Sequence, residues 1–227
     1  AFAAETPPPP SDYTYTITKD ATVTITGYTG SDTVLTVPQK LGGSPVTEIA
    51  ADAFAEQTTL TSVTLPDGLQ KIADDAFFNC TSLETLTLPD SVTSLTGAAF
   101  SGCTQKITLT LDSNSSYTVE GGALCADSGK TLVAYLGGAD TFDVPDSVTK
   151  IAASAIVNPN TKVVSLPASV TSLGKQAVGY SRAAGSANSA SVKPRARSSR
   201  SASCGVRPWP VSVRFAVAVS CGQRRSS

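Results

Sequence analysis

Two short stretches of the chain alternate apolar and hydroxyl-bearing residues and close on proline: "TSVTLP" at 61–66 and "ETLTLP" at 84–89. Period-two alternation predicts a β-strand, and proline, which has no N–H to give to a ladder, ends it. In the first strand Val63 and Leu65 then face one way while Ser62 and Thr64 face the other. A Pro-Asp turn follows each strand, then an apolar pair (Leu69 and Ile72, or Val92 and Leu95), then a short Ala-Phe segment.

These units recur. Phe54, Phe77 and Phe100 are spaced 23 residues apart, as are Ala53, Ala76 and Ala99, and Leu65, Leu88 and Leu111; Cys80 and Cys103 keep the same step. "DAFAEQTTLTSVTLPDGLQKI" lies over "DAFFNCTSLETLTLPDSVTSL" and then over "AAFSGCTQKITLTLDSNSSYT". A unit this small cannot bury its apolar side alone, so the pattern predicts a solenoid in which stacked units bury it against each other. The third unit is frayed, because Lys106 stands where Leu60 and Leu83 stand.

The pattern "AFxxCTSLxxLTLPDSVTSL" resembles the BspA-type leucine-rich repeat of bacterial surface proteins, and the likeness runs from about residue 13 to 178. It implies a β-rich repeat solenoid of ~23-residue units, with short strands forming one curved sheet and short helical or irregular turns on the other side. Residues 13–50 look like an irregular opening segment of that family, and the stretch around 112–145 like its longer, hairpin-containing unit. The rhythm resumes after Pro145, and "VVSLPASVTSLGKQAV" is the last unit that can be placed, with Val178 in the phenylalanine position.

Charge divides the chain where the period stops. All 18 acidic residues lie at or before Asp146, whereas every arginine lies at or after Arg182. The expected organisation is therefore a signal-peptide remnant and Pro-rich spacer at 1–12, a repeat domain at 13–180 and an Arg/Ser-rich tail at 181–227. The opening "AFAAET" has the small residues a signal peptidase prefers, and Pro7 to Pro10 form a stiff spacer. Three explanations of the tail stay open: a disordered basic tail drawn to anionic polymers, a terminal module in which Cys204 and Cys221 flank the strand-like "PVSVRFAVAVS", or translation out of frame, which is preferred because the repeat stops within a unit. No apolar run is long enough to span a bilayer as a helix.

The composition narrows the chemistry. Histidine is absent, which excludes Ser-His-Asp and Cys-His mechanisms and removes the commonest zinc ligand. Cys80 and Cys103 recur at the repeat period, with Gln57 and Pro159 in the equivalent place elsewhere, so they are expected as small buried packing residues; a disulfide between them is the alternative. Cys125 is expected to pack in the hairpin unit. "GGALCADSGKT" ends like a phosphate-binding loop, but the required first glycine falls on Leu124 and the flanks read as strand, turn and strand. Asp74 and Asp75 are expected on a solvated edge or capping a helix N-terminus. No catalytic role, cofactor or metal site is expected.

What remains is a surface. The outward strand residues form one column through Ser62, Thr85 and Thr108 and another through Thr36, Thr64, Thr87 and Thr110, with Ser165 later and Glu84 as the one charge. Threonine favours exposed strand positions for its own sake, so these columns need not be a site. The resemblance implies that the strand sheet is the concave, recognition side. The chain is thus expected to be a secreted or cell-surface module, monomeric, that binds a host or bacterial surface protein or a glycan. A non-binding spacer within a larger envelope protein is the competing expectation, and specific nucleic-acid binding is not expected.

Overall fold

In the computed structural model residues 12–111, 116–179 and 191–194 are described. The chain enters through an antiparallel pair, β1 (Tyr13–Ile17) and β2 (Val23–Tyr28), and continues with β3 (Val34–Thr36), β4 (Lys40–Leu41) and β5 (Ser44–Ile49). β4 and β5 form a hairpin around Gly42 and Gly43, whose φ angles of 58° and 85° are left-handed and suit glycine. Regular coils follow, with β6 (Ser62–Thr64), β7 (Lys71–Ile72), β8 (Thr85–Leu88) and β9 (Thr108–Leu111). The longer unit supplies β10 (Thr118–Glu120), β11 (Ala123–Ala126) and β12 (Thr131–Tyr135), and the final coils β13 (Thr141–Asp143), β14 (Lys150–Ile151), β15 (Val163–Leu166), β16 (Ser172–Leu173) and β17 (Ser191–Pro194).

The predicted strands are present and in the predicted register. β3, β6, β8 and β9 form one parallel sheet in which Val63 stands beside Leu86 and Leu86 beside Leu109. Farther on, β13, β15 and β17 form a second parallel sheet on the same plan, so the single sheet expected is divided in two. β17 lies within the stretch the sequence assigns to the tail. The remaining tail residues, Cys204 and Cys221 among them, and the expected spacer lie outside the described residues.

A second side of each coil also carries a ladder that the sequence did not reveal. Glu48 pairs with Lys71 and Lys71 with Ser94, and beyond the longer unit Thr131 pairs with Lys150 and Lys150 with Ser172. These strands contain as few as two residues, too short to show a period.

The third side is the Ala-Phe segment, built from consecutive tight turns. A single short 3-10 helix, Gly97–Phe100, is the helix found among the described residues. Successive N–H groups there alternate in direction. Ala53 and Ala55 donate within their own coil, while Phe54 donates to the Ala76 carbonyl and Glu56 to the Phe78 carbonyl of the next. The alternation requires left-handed residues at a repeating place, filled by Glu56 (φ 63°), Asn79 (φ 57°) and Gly102 (φ 80°). Asp74 and Asp75 belong to these turns and cap no helix; Asp74 is exposed and accepts a hydrogen bond from Thr96 Oγ1, and Asp75 has a left-handed φ of 59°.

Inside, the phenylalanines stack along the axis. Phe54 and Phe77 lie 5.3 Å apart and 8° from parallel, and Phe77 and Phe100 lie 5.8 Å apart and 9° from parallel. Tyr28 continues the column 5.6 Å from Phe54, and Tyr13 lies 5.0 Å beyond it. Tyr135 also fills the ladder place: its N–H donates to the Ala155 carbonyl, as that of Phe54 does to Ala76. None of these tyrosines is separated from its neighbour by the repeat period, so counting alone does not find them.

The hairpin of β11 and β12 divides the interior. Leu124, Val133 and Ala134 pack into the core of the first coils, whereas Ala123, Cys125, Leu132 and Tyr135 pack into the core of the last. With both faces buried, these strands read as near-continuous apolar runs. The turn joining them holds Asp127, Ser128 and Gly129 at positive φ, as expected for a hairpin and not for a phosphate loop.

Phe77 has a stacked ring on each side and no exposure. Phe77→Ala should therefore cost roughly 3–5 kcal/mol, read as a lower midpoint in urea unfolding. Gly97 lies against the backbone of the last coils, and a Cβ there would meet the Ser154 oxygen at 2.3 Å and the Ala155 Cα at 2.8 Å. Gly97→Ala must separate the two parts of the solenoid and should cost about 1–3 kcal/mol, measured the same way.

Candidate functional site

The parallel register of β6, β8 and β9 places the outward residues in straight lines. Ser62, Thr85 and Thr108 stand beside one another, and so do Thr64, Thr87 and Thr110. At the strand spacing of a sheet, neighbouring side chains in each line are about 4.8 Å apart. Thr64, Thr85, Thr108 and Thr110 are exposed, as is Glu84, while Ser62 and Thr87 are half-buried between their neighbours. Thr36 extends the second line through its pairing with Thr64. Ser165 does not join it: it belongs to the second sheet, between Asp143 and Lys193.

These hydroxyls carry no net charge and each offers a donor and acceptor sites. Removing them from water costs far less than removing ionised groups. They can therefore hydrogen-bond a sugar or a polypeptide backbone, but the arrangement supplies no nucleophile with its base. Among the described residues no group of three or more metal-ligating side chains comes together.

The cysteines are inward. Cys80, Cys103 and Cys125 are free and buried, so the disulfide alternative is overturned. Cys80 Sγ donates to the carbonyl oxygen of Phe54 at 3.0 Å, and Cys103 Sγ to that of Phe77 at 3.2 Å. Gln57 performs the same task one coil earlier, its Nε2 donating to the Tyr28 carbonyl at 3.1 Å. In these three coils the shared position supplies a donor aimed at the aromatic residue of the preceding coil, which a reading as plain packing misses; Pro159, at the same place in a later coil, has none to give. The occurrence of Gln57 beside Cys80 and Cys103 was the available signal.

Burial pushes the Cys80 thiol up to about 12, and that of Cys125 up to about 11 with a smaller contribution from Glu120. Cys103 is raised further, mainly by burial and then by Cys80. A thiol held in the protonated form is a poor nucleophile. The tyrosines of the opening segment are likewise raised: Tyr13 first by burial and then by the Tyr28 charge, Tyr28 first by burial and then by its hydrogen bond to Asp32.

A coiled stack of short strand-and-turn units around an aromatic ladder defines a leucine-rich-repeat solenoid. The chain belongs to the BspA-type leucine-rich repeat family, whose repeat region matches it in 6 copies over residues 40–126 and 134–187. The gap between the two matches falls on the hairpin turn and the start of β12. No curated protein shows significant similarity to the chain. Among solved structures, a leucine-rich repeat protein of T. pallidum is 22% identical, with a TM-score of 0.48, covering 74% of this chain and 82% of that one. A leucine-rich cell surface protein of Faecalibacterium prausnitzii is 21% identical, with a TM-score of 0.33, covering 78% and 75%. A leucine-rich repeat protein of Bacteroides ovatus is 20% identical, with a TM-score of 0.44; it covers 75% of this chain, which spans 56% of that one. Among the described residues no helix is long and apolar enough to cross a membrane.

The raised thiols set an alkaline limit on stability. Unfolded thiols ionise near their ordinary value, while the folded ones keep their protons up to about 12 for Cys80. Between those values the folded state binds more protons, so stability falls as pH rises. Urea midpoints should be level from neutral pH to about pH 8.5 and decline above it, and Cys80→Ala should lessen the decline. A thiol reagent at neutral pH should label these cysteines only after urea is added.

Proposed function

We propose that this solenoid is a secreted or surface-displayed module that binds a protein or a glycan through the outward face of β6, β8 and β9. The observation that carries the reading is the pair of in-register hydroxyl columns, Ser62–Thr85–Thr108 and Thr64–Thr87–Thr110, with Glu84 at their edge. A flat, rigid array of uncharged donors and acceptors is preorganised for a ligand that brings its own repeated polar groups, and it loses little conformational freedom on binding. The two surface partners this fits are an extended protein face and a polysaccharide. The surface setting of the F. prausnitzii protein is in keeping with it.

Strand propensity alone also puts threonine on such faces, and a spacer would carry the same columns without a ligand. The two differ in what a substitution does. Thr87 is central in its column, between Thr64 and Thr110 and beside Thr85 of the other column, and its side chain is half-buried. Thr87→Arg places a long cation across both columns while leaving the buried ladder untouched. On an array of matrix proteins and glycans, the binding seen for the parent should fall at least tenfold in the variant, with unfolding midpoints unchanged. Equal binding by parent and variant would leave the spacer as the better account.

A further inference from the structure

We propose that the break between the two strand sheets is a docking site where an extended segment of a partner protein adds as a further strand to β9. The site uses the edge of the sheet and stands apart from the outward hydroxyls, so it does not rest on the function proposed above.

Within the sheet β3-β6-β8-β9, each strand before β9 has its outer edge filled by the next coil. Val37 N–H donates to the Thr64 carbonyl at 2.9 Å and Leu65 N–H to the Thr87 carbonyl at 3.3 Å. One repeat after Leu88 the same place is Leu111, whose N–H, like that of Leu109, points away from β8 by the register of the ladder. Among the described residues β9 pairs with β8 alone. At this place the hairpin of β11 and β12 packs into both cores, and β13 pairs with β15 in a separate sheet.

The side chains tell the same story. Leu86 and Leu88 have no exposure, yet Leu109 and Leu111, their counterparts on β9, are only partly buried. Unpaired backbone groups flanked by half-covered leucines are what an added strand satisfies. At the start of β9 the break widens into a cleft of about 640 Å³ bordered by Thr104, Lys106, Gly138 and Asn160. Gly138 approaches the Lys106 backbone nitrogen so closely that a Cβ would stand 3.1 Å from it. Lys106 is exposed and takes part in neither ion pair found among the described residues. Among the described residues it is a cation outside any ion pair, on a repeat domain that carries more acidic than basic residues.

The occupant follows from the edge it must match. It is an extended polypeptide with aliphatic residues at every second position, to lie beside Leu109 and Leu111, and a carboxylate at its leading end, to reach Lys106. β8 meets β9 with that pattern, Thr-Leu-Thr-Leu, preceded by Glu84. A peptide copy of residues 84–90, Glu-Thr-Leu-Thr-Leu-Pro-Asp, is therefore the probe.

The test titrates this peptide, fluorescently labelled, against the full chain, and follows amide exchange of the chain with and without it. Saturable binding is expected, with slower exchange at Leu109 and Leu111. The same peptide N-methylated at its two threonines, whose N–H groups face the preceding strand in this register, keeps its side chains but loses ladder donors, and should bind at least about tenfold more weakly. Lys106→Glu, a change at an exposed site, should weaken the unmethylated peptide several-fold, the more so at low salt. No binding at about 1 mM peptide (a ΔG near −4 kcal/mol), equal binding of the methylated peptide, or protection confined to another strand would each overturn the proposal.

Discussion

Each coil of this protein must hand its backbone hydrogen bonds to the coils above and below it. On the strand side Glu84 N–H donates to the Thr61 carbonyl; on the second side Thr93 N–H donates to that of Gln70; on the turn side Phe77 N–H donates to that of Ala99. A coil that slipped by one residue would leave all three sides unpaired, and buried unpaired groups are expensive. The constant spacing of the phenylalanines, leucines and alanines is the imprint of that demand on the sequence.

Where the backbone turns too sharply to supply a donor, side chains do so. Gln57, Cys80 and Cys103 reach the aromatic carbonyl of the coil before. Thr61 donates to the Thr33 carbonyl, Thr104 to that of Thr81 and Ser91 to that of Leu69. Much of the hydroxyl content is thus committed to holding coils together. The outward strand residues Thr64, Thr85, Thr87, Thr108 and Thr110 hold no such bond among the described residues, which makes the strand face the candidate surface.

The same demand gives the longer unit its consequence. An inserted hairpin satisfies its own backbone through antiparallel pairing, so it can enter the stack without matching the period. It seals both cores with its two faces, but it leaves the sheet on either side with an edge. The irregular unit is thereby where the solenoid departs from self-sufficiency, and where a partner's backbone can do what a coil does elsewhere.

The sequence by itself determined the repeat, the strands, their register and the inward placing of Phe54, Phe77 and Phe100, because periodicity records local geometry and every unit repeats it. It also determined the outward columns, since alternation along a strand assigns each residue to a face. The donor role of Cys80 and Cys103 was half legible, hidden by the reputation of cysteine as a packing residue. The two-residue ladders, the tyrosines that lengthen the aromatic column, and the division of the sheet were decided only by the tertiary structure. Each depends on which coil lies beside which after an insertion of irregular length, and a spacing along the chain carries no record of that neighbour.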